Sequence, residues 1–464
     1  MLHNTLTRRS LLLASAFGAG TALGARHFRA NAAEPLAIRT RETAFSFGGP
    51  ETPGLVSTLD GAAPPVIRLK QGEPAIIDMT NGIDEYTTMH WHGIRLPNVM
   101  DGVPYLTQFP MIQGETFRYA FTPPDAGTFW YHPHCMTMRQ MAHGMTGVLI
   151  VDEAEDLGFD ADIALNLKDF RIDDEGALLP YFTARGAARG GTFGNVRTSN
   201  WIVNERHEVP AGGLVRLRIA ATDTTRVYRL TLPNMEGKII AWDGHPVREP
   251  IAWPEPGAQL RLGPGQRVDM AVRMPGTEGI ELPVIGQFGQ SLDPLATLVS
   301  VGSSLGRSLN DLGPLPENPV SLPDIANAEV REFVFGWTPD GDGQNNGFCG
   351  NSEFTFWSID RKAWPGDAVS NVGPLAELKI GRSYVLRLRN ESPNNHPIHL
   401  HGLAFIPIRS NQREIPKNWT DTVLLRKNEI IDVALVADNE GDWAFHCHVI
   451  EHQKTGLAGY IRVA

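Results

Sequence analysis

Residues 439–452 read Asn439-Glu440-Gly441-Asp442-Trp443-Ala444-Phe445-His446-Cys447-His448-Val449-Ile450-Glu451-His452, and their pattern decides how the rest of the chain is read. A glycine stands five residues before the first His of a His-x-His pair. The same spacing occurs at Asp125-Ala126-Gly127-Thr128-Phe129-Trp130-Tyr131-His132-Pro133-His134. A second phrase also recurs. Leu69-Lys70-Gln71-Gly72 leads through an alternating run to Asn81 and then His90-Trp91-His92-Gly93. Leu378-Lys379-Ile380-Gly381 leads in the same way to Asn390 and His399-Leu400-His401-Gly402. Residues 209–234 keep the run and the turn but carry no His pair. The chain is therefore a threefold array in which the outer two units hold the metal-type residues.

The runs between these phrases alternate with period two. Val66-Ile67-Arg68-Leu69-Lys70, Leu214-Val215-Arg216-Leu217-Arg218-Ile219 and Tyr384-Val385-Leu386-Arg387-Leu388-Arg389 read as half-buried strands, and long amphipathic helical patterns are scarce. Gly (47) and Pro (34) are frequent enough to turn many short strands. The expected fold is all-β, with three consecutive β-sandwich domains at 33–157, 158–301 and 329–464 and a Gly/Pro/Ser/Asn-rich linker at 302–328. A site shared between the outer units leaves the middle one as a spacer or a wall of the substrate pocket.

Ten of the 15 His fall in four clusters: His90-x-His92, His132-x-His134, His396-x-x-His399-x-His401 and His446-Cys447-His448-x-x-x-His452. Residues at i and i+2 of a strand share a face. The four pairs thus offer eight imidazoles to one side, enough for a polynuclear centre. Cys447 has the opposite parity, as has His396 relative to His399, and His452 returns through a turn. One thiolate and two imidazoles form the ligand set of a blue-copper site. Zinc needs three or four protein ligands and has no redox chemistry, which leaves a Cys joining two His sets without a purpose. His3, His27, His143, His207 and His245 stand outside these clusters and are read as ordinary residues.

These motifs resemble those of the multicopper oxidases, the family of laccases, ascorbate oxidase and bacterial cuprous oxidases. The resemblance covers essentially the whole mature chain and is nearest the short, exported, three-domain bacterial enzymes. It implies cupredoxin-like Greek-key domains and four copper ions per chain. Type 1 copper is then held by His396, Cys447 and His452, and type 2 by His90 and His399. The type 3 pair takes His92, His132, His134, His401, His446 and His448. A small reducing substrate, phenolic or a metal ion such as Cu(I), Mn(II) or Fe(II), gives electrons through an exposed edge of His396 or His452. Cys447 passes them to His446 or His448, and O2 becomes water. Relatives often place an axial Met where this chain has Leu457, so a raised type 1 potential is expected. Asp101 matches a family acid and is the candidate proton relay. Gln453 stands where bacterial relatives carry Glu, while the direction of neighbouring Glu451 stays open.

The remaining features set the context. The formal net charge of −11 argues against a nucleic-acid partner. Thr7-Arg8-Arg9-Ser10, the apolar run Leu11 to Leu23 and Ala30-Asn31-Ala32 read as a twin-arginine signal over 1–32, hence export through that machinery to the periplasm or beyond, with no membrane anchor in the mature form. Of the three Cys, Cys447 is a ligand, and Cys135 and Cys349 are read as buried free thiols with a mutual bridge as the alternative. Met136, Met138, Met141 and Met145 are read as packing residues rather than a Cu(I) site. Glu414 and Asp421 are acids that could attract cations near the type 1 site. Two other functions compete. A copper nitrite reductase lacks the full set of four motifs, and a non-catalytic exported scaffold of this fold lacks the ligands.

Overall fold

A computed structural model describes residues 27–31, 33–58, 65–253, 259–337, 339–340, 349, 354–366 and 372–464. The Arg8-Arg9 motif, the apolar run to Leu23, His3 and Ala32 lie outside these residues. Of the expected leader, His27–Arg29 is described, and it pairs in parallel with Val66–Arg68 as an edge strand.

Three pairs of sheets follow one another along the chain. In the first, a five-stranded sheet runs 27–29, 66–70, 147–152, 127–133 and 89–92, beside a three-stranded sheet of 36–39, 75–80 and 116–121. The second joins a six-stranded sheet built around Leu214–Ala221 to a five-stranded one containing Ser291–Val301. In the third, five strands around Ser383–Asn390 face five that include His396–Leu400 and Gly441–Cys447. Each pair closes on its own apolar core, with Ile77, Trp91 and Leu149 in the first, Leu217, Val268 and Val284 in the second, and Leu386, Phe445 and Ile461 in the third. The expectation of an all-β chain of consecutive sandwiches holds. The alternating runs are strands, and their apolar side chains fall on the inward face; Leu214–Ala221 is not half-buried as expected but buried along its whole length, Arg216 and Arg218 included, because the neighbouring sandwich covers its polar face.

The repeated phrases occupy equivalent places. His90 pairs with His132 across the antiparallel strands Met89–His92 and Gly127–Pro133. His399 pairs with His446 across His396–Leu400 and Gly441–Cys447. The glycine of each phrase has a positive φ, 145° at Gly127 and 140° at Gly441, and a Cβ on Gly127 would meet the Gly244 carbonyl at 2.1 Å. That glycine lets the strand start against a neighbouring unit.

The sandwiches are tied by buried polar contacts. Asp269 accepts hydrogen bonds from Arg216 Nη2 at 2.7 Å, Arg218 Nη1 at 3.2 Å and, from the first unit, Thr128 Oγ1 at 2.6 Å. All three charged groups are at most 2% exposed. A covalent tie was misjudged from the sequence. Cys135 and Cys349 form a disulfide across 214 residues and are not free thiols. The Met136 amide donates to the Cys349 carbonyl at 3.2 Å, which holds the two backbones together, and only Cys447 remains a free thiol. Met138 and Met141 pack with Trp130 and Ile450, and Met145 joins the first core, in keeping with a packing role. Removing one partner of a buried ion pair strands the other charge, so Asp269→Ala should lower unfolding free energy by about 3–5 kcal/mol. Denaturant unfolding measures it, and a change below about 1 kcal/mol would contradict this role.

Candidate metal centre

The strand parity read from the sequence places two sites on opposite faces of the same strands. His90, His92, His132 and His134 from the first unit meet His399, His401, His446 and His448 from the third. Ring centroids of His90 and His401 lie 3.7 Å apart, as do those of His92 and His399, and His92 lies 4.9 Å from His448. On the other face, Cys447 Sγ lies 3.6 Å from both His396 Nδ1 and His452 Nδ1. All of these side chains are buried. His27, His143, His207 and His245 lie outside the grouped donors.

Hydrogen bonds fix which ring nitrogen carries the proton. The Nδ1–H groups of His132 and His446 donate to the carbonyls of Pro133 at 3.0 Å and Cys447 at 2.9 Å. Those of His90 and His399 donate to the carbonyls of Asp101 and Asp421, both at 2.9 Å. A carbonyl cannot donate, so each Nε2 keeps a lone pair that points inward. His90, His132 and His399 Nε2, together with His92 Nδ1, have no hydrogen-bond partner although buried. His401 Nδ1 is bonded to Asp101 Oδ2 at 2.9 Å, which leaves its Nε2 facing that of His446 at 3.0 Å. Two lone pairs at that distance repel unless a cation lies between or beside them. On the thiol face His396 Nδ1 and His452 Nδ1 lie 3.1 Å apart; His452 Nε2–H donates to the Arg189 carbonyl at 2.5 Å, so His452 Nδ1 keeps its lone pair, while His396 Nε2 lies 2.7 Å from the Ser392 hydroxyl, which can donate or accept. Burial, followed by the neighbouring imidazoles, holds His132, His134, His401 and His446 well below the ordinary pKa, so they are neutral donors. Burial pushes the Cys447 thiol up, and a bound cation is what would favour its thiolate. Soft sulfur with imidazole on one face and an all-imidazole cluster on the other suits copper.

The acids resolve differently from their sequence reading. Asp101, 1% exposed, touches both His401 and His90, the latter at 3.2 Å from Oδ1 to Nδ1. Asp421 is not a surface acid near the thiol. It is buried on the cluster side, where its Oδ1 accepts from His92 Nε2 at 3.1 Å. Against the burial that would raise it, the Arg267 guanidinium holds the Asp421 carboxyl well below the usual carboxylate range. Glu451 turns away from the cluster and accepts from Thr192, by the amide and by Oγ1 at 2.7 Å. Gln453 Nε2 lies 3.3 Å from His134 Nε2. Leu457 is buried in the third core with Cys447, and its carbonyl accepts from the Cys447 amide at 3.0 Å.

The middle unit is more than a spacer. Arg267 donates to Asp421 through Nη1 at 2.9 Å and Nη2 at 2.6 Å, and to the first unit's Thr128 carbonyl at 3.2 Å. Gly265, at φ +92°, approaches so closely that a Cβ would meet His92 at 3.0 Å and His448 at 3.2 Å. Residues 184–191 also cover the thiol site. Trp357 Nε1 donates to the Ala187 carbonyl at 2.8 Å, and the Arg189 carbonyl caps His452. The expected exposed edge of His396 or His452 is absent: both rings are 0% exposed, His452 beneath the Arg189 carbonyl of the second unit and His396 against Trp357 and Ser392 of its own. The sequence carried one faint sign of this, an Arg267-Val268-Asp269 charge pattern inside an otherwise apolar strand. Arg267→Met should cost about 3–5 kcal/mol by stranding buried Asp421. It should also lower metal content at the imidazole cluster while the thiolate site stays loaded; unchanged metal content would contradict the link.

Two family models, each described as multicopper oxidase, match residues 48–156 and 348–464. The multi-copper oxidase of Pseudomonas thermotolerans has a crystal structure with 40% identity and a TM-score of 0.82, over 95% of this chain and 100% of that one. The Pseudomonas parafulva enzyme gives 37% and 0.81, over 92% and 100%. Multicopper oxidase MmcO of Mycobacterium tuberculosis is 28% identical over 92% of this chain and 88% of its own length. With its paired imidazole donors, its buried thiol and this overall likeness, the chain belongs to the multicopper oxidase family, copper oxidoreductases that use dioxygen.

Proposed function

We propose that the chain holds four copper ions: type 1 on His396, Cys447 and His452, type 2 on His90 and His399, and a type 3 pair on His92, His132, His134, His401, His446 and His448. The observation that carries this reading is the set of buried imidazole nitrogens on the cluster side that have no hydrogen-bond partner, with the lone pairs of His401 Nε2 and His446 Nε2 facing each other at 3.0 Å. Copper bound there supplies one-electron acceptance on the thiolate face and reduction of O2 to water at the cluster.

The chain's own residues do the rest. Cys447 connects the two faces covalently, since its neighbours His446 and His448 belong to the cluster. Asp101 sits on His401 Nδ1 and beside His90 Nδ1, where its carboxylate can take up and return a proton next to the cluster. Asp421 and Thr422 hold His92 and His399, with Thr422 Oγ1 3.1 Å from His399 Nδ1. A reducing substrate meets the 184–191 segment over His452 instead of a bare imidazole. Phenols and metal ions such as Cu(I) or Mn(II) are the donor classes. Export to an oxidising compartment, through a twin-arginine signal at 1–32, is supported by the Cys135–Cys349 disulfide. No helix among the described residues is long and apolar enough to cross a membrane.

Oxygen uptake by the copper-loaded mature protein, with Cu(I) against dimethoxyphenol, tests the reading. Uptake with one or both is expected; none with either would overturn it, and the faster donor sets the class. Leu457 has no donor atom, so Leu457→Met should offer a thioether and lower the reduction potential of a copper that His396, Cys447 and His452 would hold. Redox titration of the blue absorption measures this, and an unchanged or raised potential counts against a site held by His396, Cys447 and His452 alone.

A further inference from the structure

A cavity of about 420 Å³ opens at the seam of the second and third sandwiches, away from the segment that covers His452. Its lining is unusual for a chain of net charge −11. Arg261, Arg413 and Arg426 all face it, and no acid among the described residues does. Arg413 is partly committed, since its Nε donates to Glu429 at 2.9 Å and its Nη2 to the Leu424 carbonyl at 2.9 Å. Arg426 is not: its Nε is buried without a hydrogen-bond partner, while Glu429 takes only its main-chain amide, at 2.7 Å. Burial and the repulsion of Arg413 and Arg261, only partly offset by the attraction of Glu429, hold the Arg426 guanidinium below its usual pKa. Arg261 also lies directly opposite Arg229 across its strand pair, a like-charge placement that costs stability. Trp242, Ile415, Pro416 and Val423 give the same cavity an apolar share of its lining.

An anion would relieve the repulsion, and the apolar lining asks for a flat hydrophobic body attached to it. The volume suits a ligand of that size. We infer that this seam cavity is a binding site for a small aromatic carboxylate, with the carboxylate among Arg261, Arg413 and Arg426 and the ring against Trp242 and Ile415. The floor connects the site to the cluster. Gln266 Nε2 donates to the Thr422 carbonyl at 3.1 Å, and Thr422 Oγ1 lies 3.3 Å from His92 Nε2. An occupant is thus two hydrogen bonds from an imidazole of the cluster. The inference does not rest on the assignment of the copper ions, because its charges and walls are independent of them.

Calorimetric titration of the protein as isolated, at fixed ionic strength, compares benzoate, the neutral isostere benzamide and inorganic phosphate. Saturable binding of benzoate is expected, at least tenfold tighter than benzamide and than phosphate. Arg426→Met should weaken benzoate at least tenfold, and so should Arg261→Met, which alters an exposed side chain and keeps the fold even if the first variant does not. Equal binding of benzamide would show an uncharged apolar cleft, and equal binding of phosphate a plain oxyanion site. Either result, no benzoate binding, or unchanged affinity in both variants overturns the inference.

Discussion

The contact between Arg267 and Asp421 holds the site in register. Both side chains are almost fully buried, and both planar ends are used. A buried guanidinium is tolerable only with its partners in place; Asp243 of its own sandwich lies 3.4 Å from it, and Asp421, which it meets with both Nη atoms, belongs to a different sandwich. Arg267 reaches the Thr128 carbonyl of the first unit, while Asp421 reaches His92 of the first and His399 of the third. One ion pair thereby fixes how three separately packed cores meet. The imidazoles on either side are positioned by that meeting and by their own carbonyl acceptors, not by any single domain.

The second constraint is the pleat. A strand cannot place neighbouring residues on one face, so His446, Cys447 and His448 must divide between two sites. The thiol goes to His396 and His452, and the imidazoles go to the cluster. The short distance between two centres of different chemistry follows from the geometry of one strand. The second sandwich completes both: Gly265 and Arg267 close against the cluster, and residues 184–191 close over the thiolate face.

How much of this could be read from the sequence depended on the range of each interaction. The eight cluster histidines and the thiol set were legible, because parity along a strand is local and the same phrase recurs in two units. The sandwiches were legible from alternation alone. Asp421 was not, since its meaning lies in Arg267, 154 residues away. The Cys135–Cys349 bridge stood only as the alternative reading for the same reason, its ends lying 214 residues apart. The cover over His452 comes from a single helical turn, Ala184–Ala187, and the residues that follow it, too short to carry a periodic pattern, and only the packing of the middle unit on Trp357 reveals it. Burial also reversed one expectation: an imidazole thought to meet the substrate at the surface is capped by a backbone carbonyl.

The central claim is that opposite faces of one strand hold two independent metal sites. Copper content per chain, measured for the mature protein and for Cys447→Ser, tests it most directly. The account predicts four equivalents in the first and three in the second, with the blue absorption lost and the cluster still loaded. A parent with a single equivalent, or a variant that loses copper from the imidazole cluster while still folded, would contradict it.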